Sequence, residues 1–223
     1  MTGLFITGTD TGVGKTHVAL ALIRGLVRDG RRVAAMKPVA AGAELTAAGL
    51  RNDDALRLAE AATVVAPYAT INPYCFALPV SPHIAAEEAG IVIDPAEIRR
   101  KFDVLRASTD CVIVEGAGGW LAPISGTQTM ESVALAIGLP VLMVVGLRLG
   151  CLSHALLTAR AVRASGLTLE HWVANEMEDP ARGGCERKMA NIATLKSQLG
   201  APLAILPFSG HGRSRNTVID VSL

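Results

Sequence analysis

Short apolar runs alternate along the chain with stretches that carry apolar side chains at helical spacing. A strand that is covered by helices on both faces is apolar throughout, so this alternation is typical of the parallel strands of an α/β sheet. The pattern predicts strands at Leu4–Thr7, Val33–Lys37, Cys111–Glu115, Val141–Val145, Leu169–Ala174 and Leu203–Leu206. It predicts intervening helices at Thr16–Asp29, Asp53–Ala62, Pro95–Ala107, Glu131–Ile137, Ser153–Ala164 and Glu186–Leu199. The expected fold is therefore α/β, with a mostly parallel central sheet and helices on both faces.

Two stretches depart from this pattern. The segment Ala66–Ile93 contains four prolines and shows no clear periodicity, which indicates an excursion on the substrate side. The apolar stretch Ser132–Leu147 is short for a membrane span and is interrupted by Gly138 and Pro140. A helix that ends at Gly138, followed by a buried strand, explains this stretch, and we expect no association with a membrane.

The turn after the first predicted strand is rich in glycine, and residues 4–16 read LFITGTDTGVGKT. Such a turn between a strand and a helix directs several backbone N–H groups and the positive end of the helix dipole toward one point, where a phosphate fits. Lys15 would supply a charge to the terminal phosphates, and Thr16 a hydroxyl to Mg²⁺. Five residues separate Gly8 from Gly14, whereas the usual phosphate-binding loop has four. The alternative is a tight turn of small residues with a steric role alone.

Further polar candidates follow other strands, and ligands of such sheets bind beyond the carboxyl ends of the strands. Glu115 lies where a nucleotide hydrolase keeps a carboxylate for Mg²⁺, although it could be an exposed strand end. For Asp53 and Asp54, the spacing leaves helix capping and metal binding equally open. Lys37 would be a second ammonium beside the terminal phosphate, and the alternative is a strand-end lysine that reaches solvent.

Composition and charge narrow the functional classes. The chain has 223 residues, a formal net charge of +1 and 4% aromatic residues, without a basic stripe, which argues against a nucleic-acid partner. No linker-like stretch divides it, so we expect one domain over residues 1–223. The first residues show no charged region followed by a long apolar run, so we expect no secretory signal and a cytoplasmic protein. The four cysteines form no Cys-x-x-Cys pair, so we expect reduced thiols. The histidines show no spacing typical of a transition-metal site.

Several segments, in order over most of residues 4–175, resemble those of one enzyme family. They are TGTDTGVGKT (7–16), MKPVAAG (36–42), LRNDDAL (50–56), YATINPYCFALPVSPHIAA (68–86), VEGAGGW (114–120), VVGLRLGCLSHALLT (144–158) and GLTLEHWVAN (166–175). On these segments the chain resembles the dethiobiotin synthetases, which have a single-domain P-loop NTPase fold. Together they are far more specific than the phosphate-binding loop, which many unrelated nucleotide enzymes share.

The resemblance implies an ATP- and Mg²⁺-dependent ligase of biotin biosynthesis. CO₂ adds to one amine of 7,8-diaminopelargonic acid, ATP phosphorylates the carbamate, and the neighbouring amine displaces phosphate to close the cyclic urea of dethiobiotin. The resemblance also implies a homodimer with the substrate site at the subunit interface. The metal ligands that it implies are Thr16, Asp54 and Glu115, which resolves the choice between the two aspartates toward Asp54.

The resemblance also assigns the remaining site residues. The catalytic residues that it implies are Lys37, Lys15 and Thr11. The ATP contacts that it implies are Gly12, Val13, Gly14, Lys15, Thr16, His17, Asp54, Glu115, Gly116, Ala117 and Gly118, with Asn175 reading adenine and Pro207, Phe208 and Ser209 bordering the base. The substrate contacts that it implies are Lys37, Ala41, Ser81, Gly118, Gly150, Cys151, Leu152 and Ser153.

The chain departs from the family at several positions. Residue 12 is Gly where some members have an acid, and residue 41 is Ala where a substrate-contacting Ser can occur. Residue 148 is Arg in place of Lys, and residue 153 is Ser where Asn is frequent. The loop 150–153 resembles one that binds the substrate's distal carboxylate through backbone N–H groups. Recognition by the backbone would survive these changes.

The main alternative function is a partition-type P-loop ATPase, a switch that binds a partner or a membrane. Such proteins carry an additional lysine early in the phosphate-binding loop, where this chain has Asp10. The tail Arg213–Leu223 is short for an amphipathic membrane anchor. A nearer alternative is another amide-forming or carboxylating ATPase of the same fold, which a substrate assay separates. The resemblance is weakest over residues 176–223.

Overall fold

A parallel sheet forms the centre of the fold. The computed structural model describes residues 3–177, 185–208 and 217–221. The strands are β1 (Gly3–Gly8), β2 (Val33–Met36), β3 (Val39–Ala40), β4 (Glu44–Thr46), β5 (Gly49–Arg51), β6 (Tyr74–Cys75), β7 (Cys111–Glu115), β8 (Val141–Leu147), β9 (Leu169–Glu176) and β10 (Ala204–Leu206). Six of them pair in the order β10-β9-β8-β1-β7-β2, with every neighbouring pair parallel. Two small ladders, β3 with β6 and β4 with β5, stand apart from this sheet.

Helices cover both faces of the sheet, as predicted. They are α1 (Lys15–Arg28), α2 (Asp53–Ala61), α3 (Tyr68–Ile71), α4 (Pro82–Glu88), α5 (Pro95–Arg106), α6 (Met130–Ile137), α7 (Cys151–Ala164) and α8 (Cys185–Leu199). Successive side chains of a strand point to opposite faces. In β1, Leu4 and Ile6 pack in one core with α1 and α2, whereas Phe5 packs with α5 and α6 on the other face. Residues of β8 and β9 pack with α7 and α8.

Because the strands of the central sheet are parallel, their carboxyl ends meet at one edge. The phosphate-binding loop follows β1, Lys37 follows β2, and Glu115 ends β7. On the other side of β1, the loop after β8 and Asn175 of β9 reach the same edge. This arrangement brings together side chains that are far apart in the sequence.

Three differences from the predicted elements bear on the site. Lys37 lies just beyond β2, and its N–H donates to the carbonyl of Ile71 at 2.8 Å. Helix α7 begins at Cys151 instead of Ser153, so Gly150 is its N-cap, with φ +92°. The segment 66–93 contains α3, β6 and α4, which hydrophobic periodicity did not predict.

The described C-terminal residues 217–221 return to α1. The N–H of Ile219 donates to the carbonyl of Ala21 at 3.0 Å, and the Ile219 side chain is buried. A Cβ at Gly25 would lie 2.2 Å from the Ile219 carbonyl oxygen, so glycine permits this close approach. In the described part of the chain, no helix has both the length and the hydropathy that a membrane span requires.

Candidate active site

A cleft of about 720 Å³ opens at the carboxyl edge of β1, β2 and β7. Its walls are the phosphate-binding loop, the residues after β2, the N-terminus of α2, the end of β7 and the segment before α4. The sequence-predicted site residues that line it are Thr11, Gly12, Gly14, Lys15, Thr16, Lys37, Ala41, Asp54, Ser81, Glu115, Ala117 and Gly118. Most of the predicted catalytic, metal and substrate residues therefore share one cavity.

The phosphate-binding loop is fixed from behind by β9. Gly14 is the N-cap of α1 with φ +95°, a left-handed conformation that favours glycine. A Cβ at Gly14 would lie 2.3 Å from Nδ2 of Asn175, and that amide donates to the carbonyl of Val13 at 2.8 Å. The side chains of Val13 and His17 are buried and do not line the cleft. These residues support the loop, whose backbone faces the cavity.

Lys15 is a buried ammonium, and no carboxylate of the described residues lies at hydrogen-bond distance from it. Its Nζ donates to the carbonyl oxygen of Asp10 at 3.0 Å. Burial, and then repulsion by Lys37, lowers the pKa of Lys15 to about 8, against the attraction of Glu115 and Asp54. An anionic ligand in the cleft would supply the negative charge that this ammonium lacks. This environment suits the terminal phosphates of a nucleotide.

Glu115 is the centre of a buried polar cluster. Its Oε1 accepts hydrogen bonds from Thr16 Oγ1 at 2.9 Å and from Lys37 Nζ at 2.5 Å. Lys37 Nζ also lies 3.5 Å from Asp54 Oδ2. Glu115 is 1% exposed and Lys37 is 5% exposed, so neither is the solvent-exposed strand end that was the alternative interpretation. Buried charges at this separation interact strongly and are costly to leave unpaired.

The charge state of Lys37 follows from this cluster. Burial by itself lowers the pKa of Lys37, but the attraction of Glu115 and then Asp54, together with their hydrogen bonds, outweighs burial and raises it. The side chain therefore stays protonated and presents a fixed positive charge to the cleft.

The donor atoms of the cluster fit a divalent cation. Within the described residues, Glu115 Oε2 is buried and has no hydrogen-bond partner. Burying a carboxylate oxygen without a partner costs free energy unless a cation binds it or a hydrogen-bond donor pairs with it. The oxygens of Glu115, Asp54 and Thr16 are hard ligands of the kind that Mg²⁺ prefers. The residues present therefore suit a cation bound together with nucleotide phosphates.

The structure separates the two aspartates at the start of α2. Asn52 caps this helix, because its Oδ1 accepts from the N–H of Ala55 at 3.2 Å, so the capping alternative for the aspartates is wrong. Asp53 is 82% exposed and lies 3.7 Å from Arg57. Asp54, in contrast, lines the cleft beside Lys37. The geometry therefore favours Asp54 as the cluster's second carboxylate.

Some predicted nucleotide contacts lie around the cleft and do not line it. Gly116 donates its N–H to the Ile6 carbonyl at 2.9 Å and thus joins the end of β7 to β1. Leu206 pairs with Asn175, so Pro207 and Phe208 follow β10 next to the residue that we expect to read adenine. Ser209 lies outside the described residues.

The predicted substrate loop also stands apart from the cleft of its own chain. Gly150, Cys151, Leu152 and Ser153 form the N-cap and first turn of α7 at the end of β8, and they do not line the cavity. Arg148, which precedes them, forms an ion pair with Asp10 of the phosphate-binding loop. The loop is therefore tied to the nucleotide side of the site, although it does not face the same cavity.

Sequence reasoning missed the residues that support the cluster from behind. Asn52, Tyr68 and Asn72 form hydrogen bonds that link α2 to the end of β2. The one available signal was the spacing of Tyr68 and Asn72, which are four positions apart and so lie on the same side of a helical turn. The ion pair of Asp10 with Arg148 had no comparable signal.

Comparison with solved structures identifies the fold of the chain. Solved structures share its fold at low identity. A chain of the MinC:MinD cell division protein complex of Aquifex aeolicus has a TM-score of 0.57 at 16% identity, covering 97% of this chain and 86% of that one. A ParA family ATPase of Chlorobium tepidum has a TM-score of 0.57 at 14% identity, covering 95% and 87%. These likenesses show the fold alone.

The sequence comparisons are more specific. A family model described as an AAA domain matches residues 2–209. The ATP-dependent dethiobiotin synthetase BioD of Aromatoleum aromaticum is 50% identical over 199 residues, which cover 89% of this chain and 87% of that protein. The protein of the same name from Pseudomonas aeruginosa is 45% identical over 203 residues, which cover 91% and 87%. Identity of this extent confirms the resemblance seen in the motifs, and the chain belongs to the ATP-dependent dethiobiotin synthetase family.

Proposed function

We propose that this protein is a dethiobiotin synthase, which uses ATP and CO₂ to convert 7,8-diaminopelargonic acid into dethiobiotin, ADP and phosphate. The observation that carries the proposal is the cluster of Thr16, Lys37, Asp54 and Glu115, which lies in the same cleft as the phosphate-binding loop. The relatives named dethiobiotin synthetase support the assignment of substrate and product. We also propose that residues 1–223 act as one domain, in the cytoplasm.

The cleft would bind the nucleotide by its phosphates. The loop backbone and the Lys15 ammonium, which lies at the start of α1, face the cavity where the terminal phosphates would lie. Thr16, Asp54 and Glu115 would hold Mg²⁺, which supplies charge screening to the phosphates when it is bound. Asn175, Pro207 and Phe208 would contact the base, on the far side of the loop from Lys37.

Lys37 would act on the second substrate. A carbamate and a terminal phosphate are both anionic, and two unit charges 4 Å apart repel by about 4 kcal/mol at an effective dielectric constant of about 20. A fixed ammonium between them offsets this repulsion and aligns the two groups. The hydrogen bond and ion pair of Lys37 hold its Nζ in the cleft without a further cost of ordering the side chain.

The reaction then needs two displacements. A carbamate oxygen attacks the γ-phosphorus, and the bond from that phosphorus to ADP breaks. The second amine attacks the carbamate carbon and loses a proton, and the C–O bond to phosphate breaks. Lys15 and Lys37 stabilise the negative charge that moves through these steps, and Thr11 lines the same cavity.

A second copy of the chain would complete the substrate site. The loop 150–153 does not line its own cleft, while Leu149, directly before it, is fully exposed and Leu157 of α7 is 60% exposed. Exposed apolar side chains beside a predicted binding loop are typical of a contact surface. We therefore propose a homodimer in which this surface meets its copy and the diamine binds near the interface.

The proposal is tested with purified protein, the diamine, bicarbonate, Mg²⁺ and ATP, by following phosphate release together with dethiobiotin mass. We expect phosphate release that depends on the diamine and equals the dethiobiotin formed. ATP hydrolysis at the same rate with and without the diamine would contradict the proposal and favour the partition-type ATPase switch.

A further inference from the structure

A continuous line of hydrogen bonds runs behind the cleft, from α2 to the end of β2. The Tyr68 hydroxyl accepts from the backbone N–H of Asn52 at 2.8 Å and donates to Asn72 Oδ1 at 2.9 Å. Asn72 Nδ2 donates to the carbonyl oxygen of Lys37 at 2.6 Å and to that of Tyr74 at 3.2 Å. Both asparagine side chains belong to buried residues. The Tyr68 hydroxyl and both the oxygen and the nitrogen of the Asn72 amide therefore have defined partners.

Each end of this line of hydrogen bonds lies next to a charged side chain of the cleft. At one end, Asn52 caps α2, and Asp54 lies in the first turn of that helix. At the other end, the Lys37 carbonyl accepts from Asn72, while the Lys37 N–H donates to Ile71 at 2.8 Å. The backbone of Lys37 is thus held on both sides by the segment that contains α3. The position of Asp54 relative to Lys37, 3.5 Å between Oδ2 and Nζ, depends on these two anchors.

Tyr68 is itself held in place. The guanidinium carbon of Arg51 lies 4.2 Å from the centre of the Tyr68 ring, a cation–π distance. Burial raises the pKa of Tyr68 to about 12, so its hydroxyl keeps the proton that it donates to Asn72. Neither Tyr68 nor Asn72 lines the cleft. Their influence on a bound ligand must pass through the residues that they hold.

We propose that Tyr68 is a positioning residue that sets the geometry of Asp54 and Lys37, and thereby the affinity of the site for the divalent cation of the bound nucleotide. The inference rests on the proposed function of this site, because it takes Asp54 as a ligand of that cation. A helix terminus that shifts by a fraction of an ångström changes cation affinity, since Mg²⁺ demands nearly ideal octahedral geometry.

The chain offers a matched control in Tyr74. The Tyr74 hydroxyl accepts from the backbone N–H of Asp94 at 3.0 Å, and Asp94 is the N-cap of α5. Tyr74 therefore does for α5 what Tyr68 does for α2. No residue of α5 lines the cleft. Removing either hydroxyl leaves an N-cap N–H without its partner, and removing that of Tyr68 also takes the donor from Asn72 Oδ1. Only the loss at Tyr68 affects a helix whose first turn lines the cleft.

The experiment compares Tyr68→Phe with Tyr74→Phe. Binding of a non-hydrolysable ATP analogue is measured by calorimetry at increasing Mg²⁺, alongside the melting temperature. Both variants should lose thermal stability, and Tyr68→Phe should lose more, because it removes two hydrogen bonds of the hydroxyl where Tyr74→Phe removes one. Only Tyr68→Phe should raise the Mg²⁺ concentration for half-maximal analogue binding, by roughly fivefold, the effect of one lost hydrogen bond. An equal Mg²⁺ requirement in the two variants would overturn the proposal.

Two further measurements keep the test decisive. In an Asp54→Asn background, Tyr68→Phe should leave the Mg²⁺ requirement unchanged, and a full fivefold effect there would also overturn the proposal. If Tyr68→Phe does not fold, Asn72→Ser breaks the same line and should raise the Mg²⁺ requirement in the same direction. The binding experiment needs no diamine, so a wild-type protein that makes no dethiobiotin would refute the proposed function while the role of Tyr68 is still decided.

Discussion

Replacing Lys37 by Gln tests both the stability and the chemistry that we attribute to the buried cluster. The substitution removes the ammonium that lies 2.5 Å from Glu115 Oε1 and 3.5 Å from Asp54 Oδ2. Glu115 is 1% exposed, so its carboxylate would keep the Thr16 hydrogen bond but lose the opposite charge. Water cannot replace that charge without opening the cluster.

The magnitude follows from this geometry. Removing one partner of a buried ion pair costs about 3–5 kcal/mol, and the Gln amide can regain about 1 kcal/mol by donating a hydrogen bond to Glu115. We therefore expect the free energy of unfolding to fall by about 2–4 kcal/mol, and the melting temperature by on the order of 10 °C for a chain of this size. Dethiobiotin formation should fall by about 10²–10³-fold, as when one preorganised donor is lost.

The assay combines thermal or urea unfolding with product formation and binding of the ATP analogue. Lys37→Gln should still bind the analogue, because the loop backbone and Lys15 are unchanged. Arg57→Gln is a control on α2, since Arg57 pairs with the exposed Asp53 at 3.7 Å and such pairs contribute less than about 1 kcal/mol. Activity of the control should equal that of the wild type.

A double variant separates charge balance from chemistry. Lys37→Gln combined with Glu115→Gln removes both buried charges, so it should recover most of the lost stability and none of the lost activity. If Lys37→Gln melts with the wild type and forms dethiobiotin at an undiminished rate, the ammonium has neither of the two roles. A double variant that is less stable than the single one would show that the Glu115 carboxylate does not need the opposite charge of Lys37.

Three other predictions concern the loop and the assembly. The pKa of Lys15 is about 8 in the folded state and 10.5 in the unfolded state, so the folded state binds fewer protons between these pH values. The free energy of unfolding should therefore rise from pH 8 to pH 10.5 by up to about 3 kcal/mol. Urea unfolding of Lys15→Met should not show this rise. Gly14→Ala should lower the free energy of unfolding by about 1–3 kcal/mol and should not bind nucleotide, because the new Cβ would lie 2.3 Å from Asn175 Nδ2. Gly12→Ala is the matched control, because Gly12 also has a positive φ but an added Cβ would meet no atom within 4 Å. Equal losses of stability in the two variants would contradict the clash with Asn175. Light scattering should give a mass near twice 23.2 kDa, and a fully active monomer would contradict the shared site.

The central sheet was predictable because burial on both faces leaves a plain signal. Leu4, Phe5 and Ile6 are all fully buried between two layers of helices, and no alternation with polar residues is needed there. Parallel pairing then implies that Lys37 and Glu115 meet at one edge. The residues of the cleft were therefore within reach of sequence reasoning, although their roles in the reaction remain predictions.

The support behind the cleft was not predictable from periodicity. Helix α3 has four residues, too few to show a helical repeat, and hydrogen bonds to distant residues fix it, such as that from Lys37 N–H to the Ile71 carbonyl. Spacing left Asp53 and Asp54 as candidate caps of α2 and gave no reason to prefer the preceding Asn52, which caps the helix in the fold. Only the packed fold decides between such neighbours.

Transfer of an oxygen atom from bicarbonate to phosphate, followed with ¹⁸O-labelled bicarbonate in unlabelled water, tests whether the protein phosphorylates a carbamate. One carbamate oxygen attacks the γ-phosphorus and leaves with phosphate, so each phosphate released should carry one ¹⁸O atom, and the urea of dethiobiotin should retain another. Mass spectrometry of the phosphate reads this label within the first turnovers, before bicarbonate exchanges with water. We expect labelled phosphate in amounts equal to dethiobiotin, whereas unlabelled phosphate would show that water attacks ATP and that no carbamate is phosphorylated.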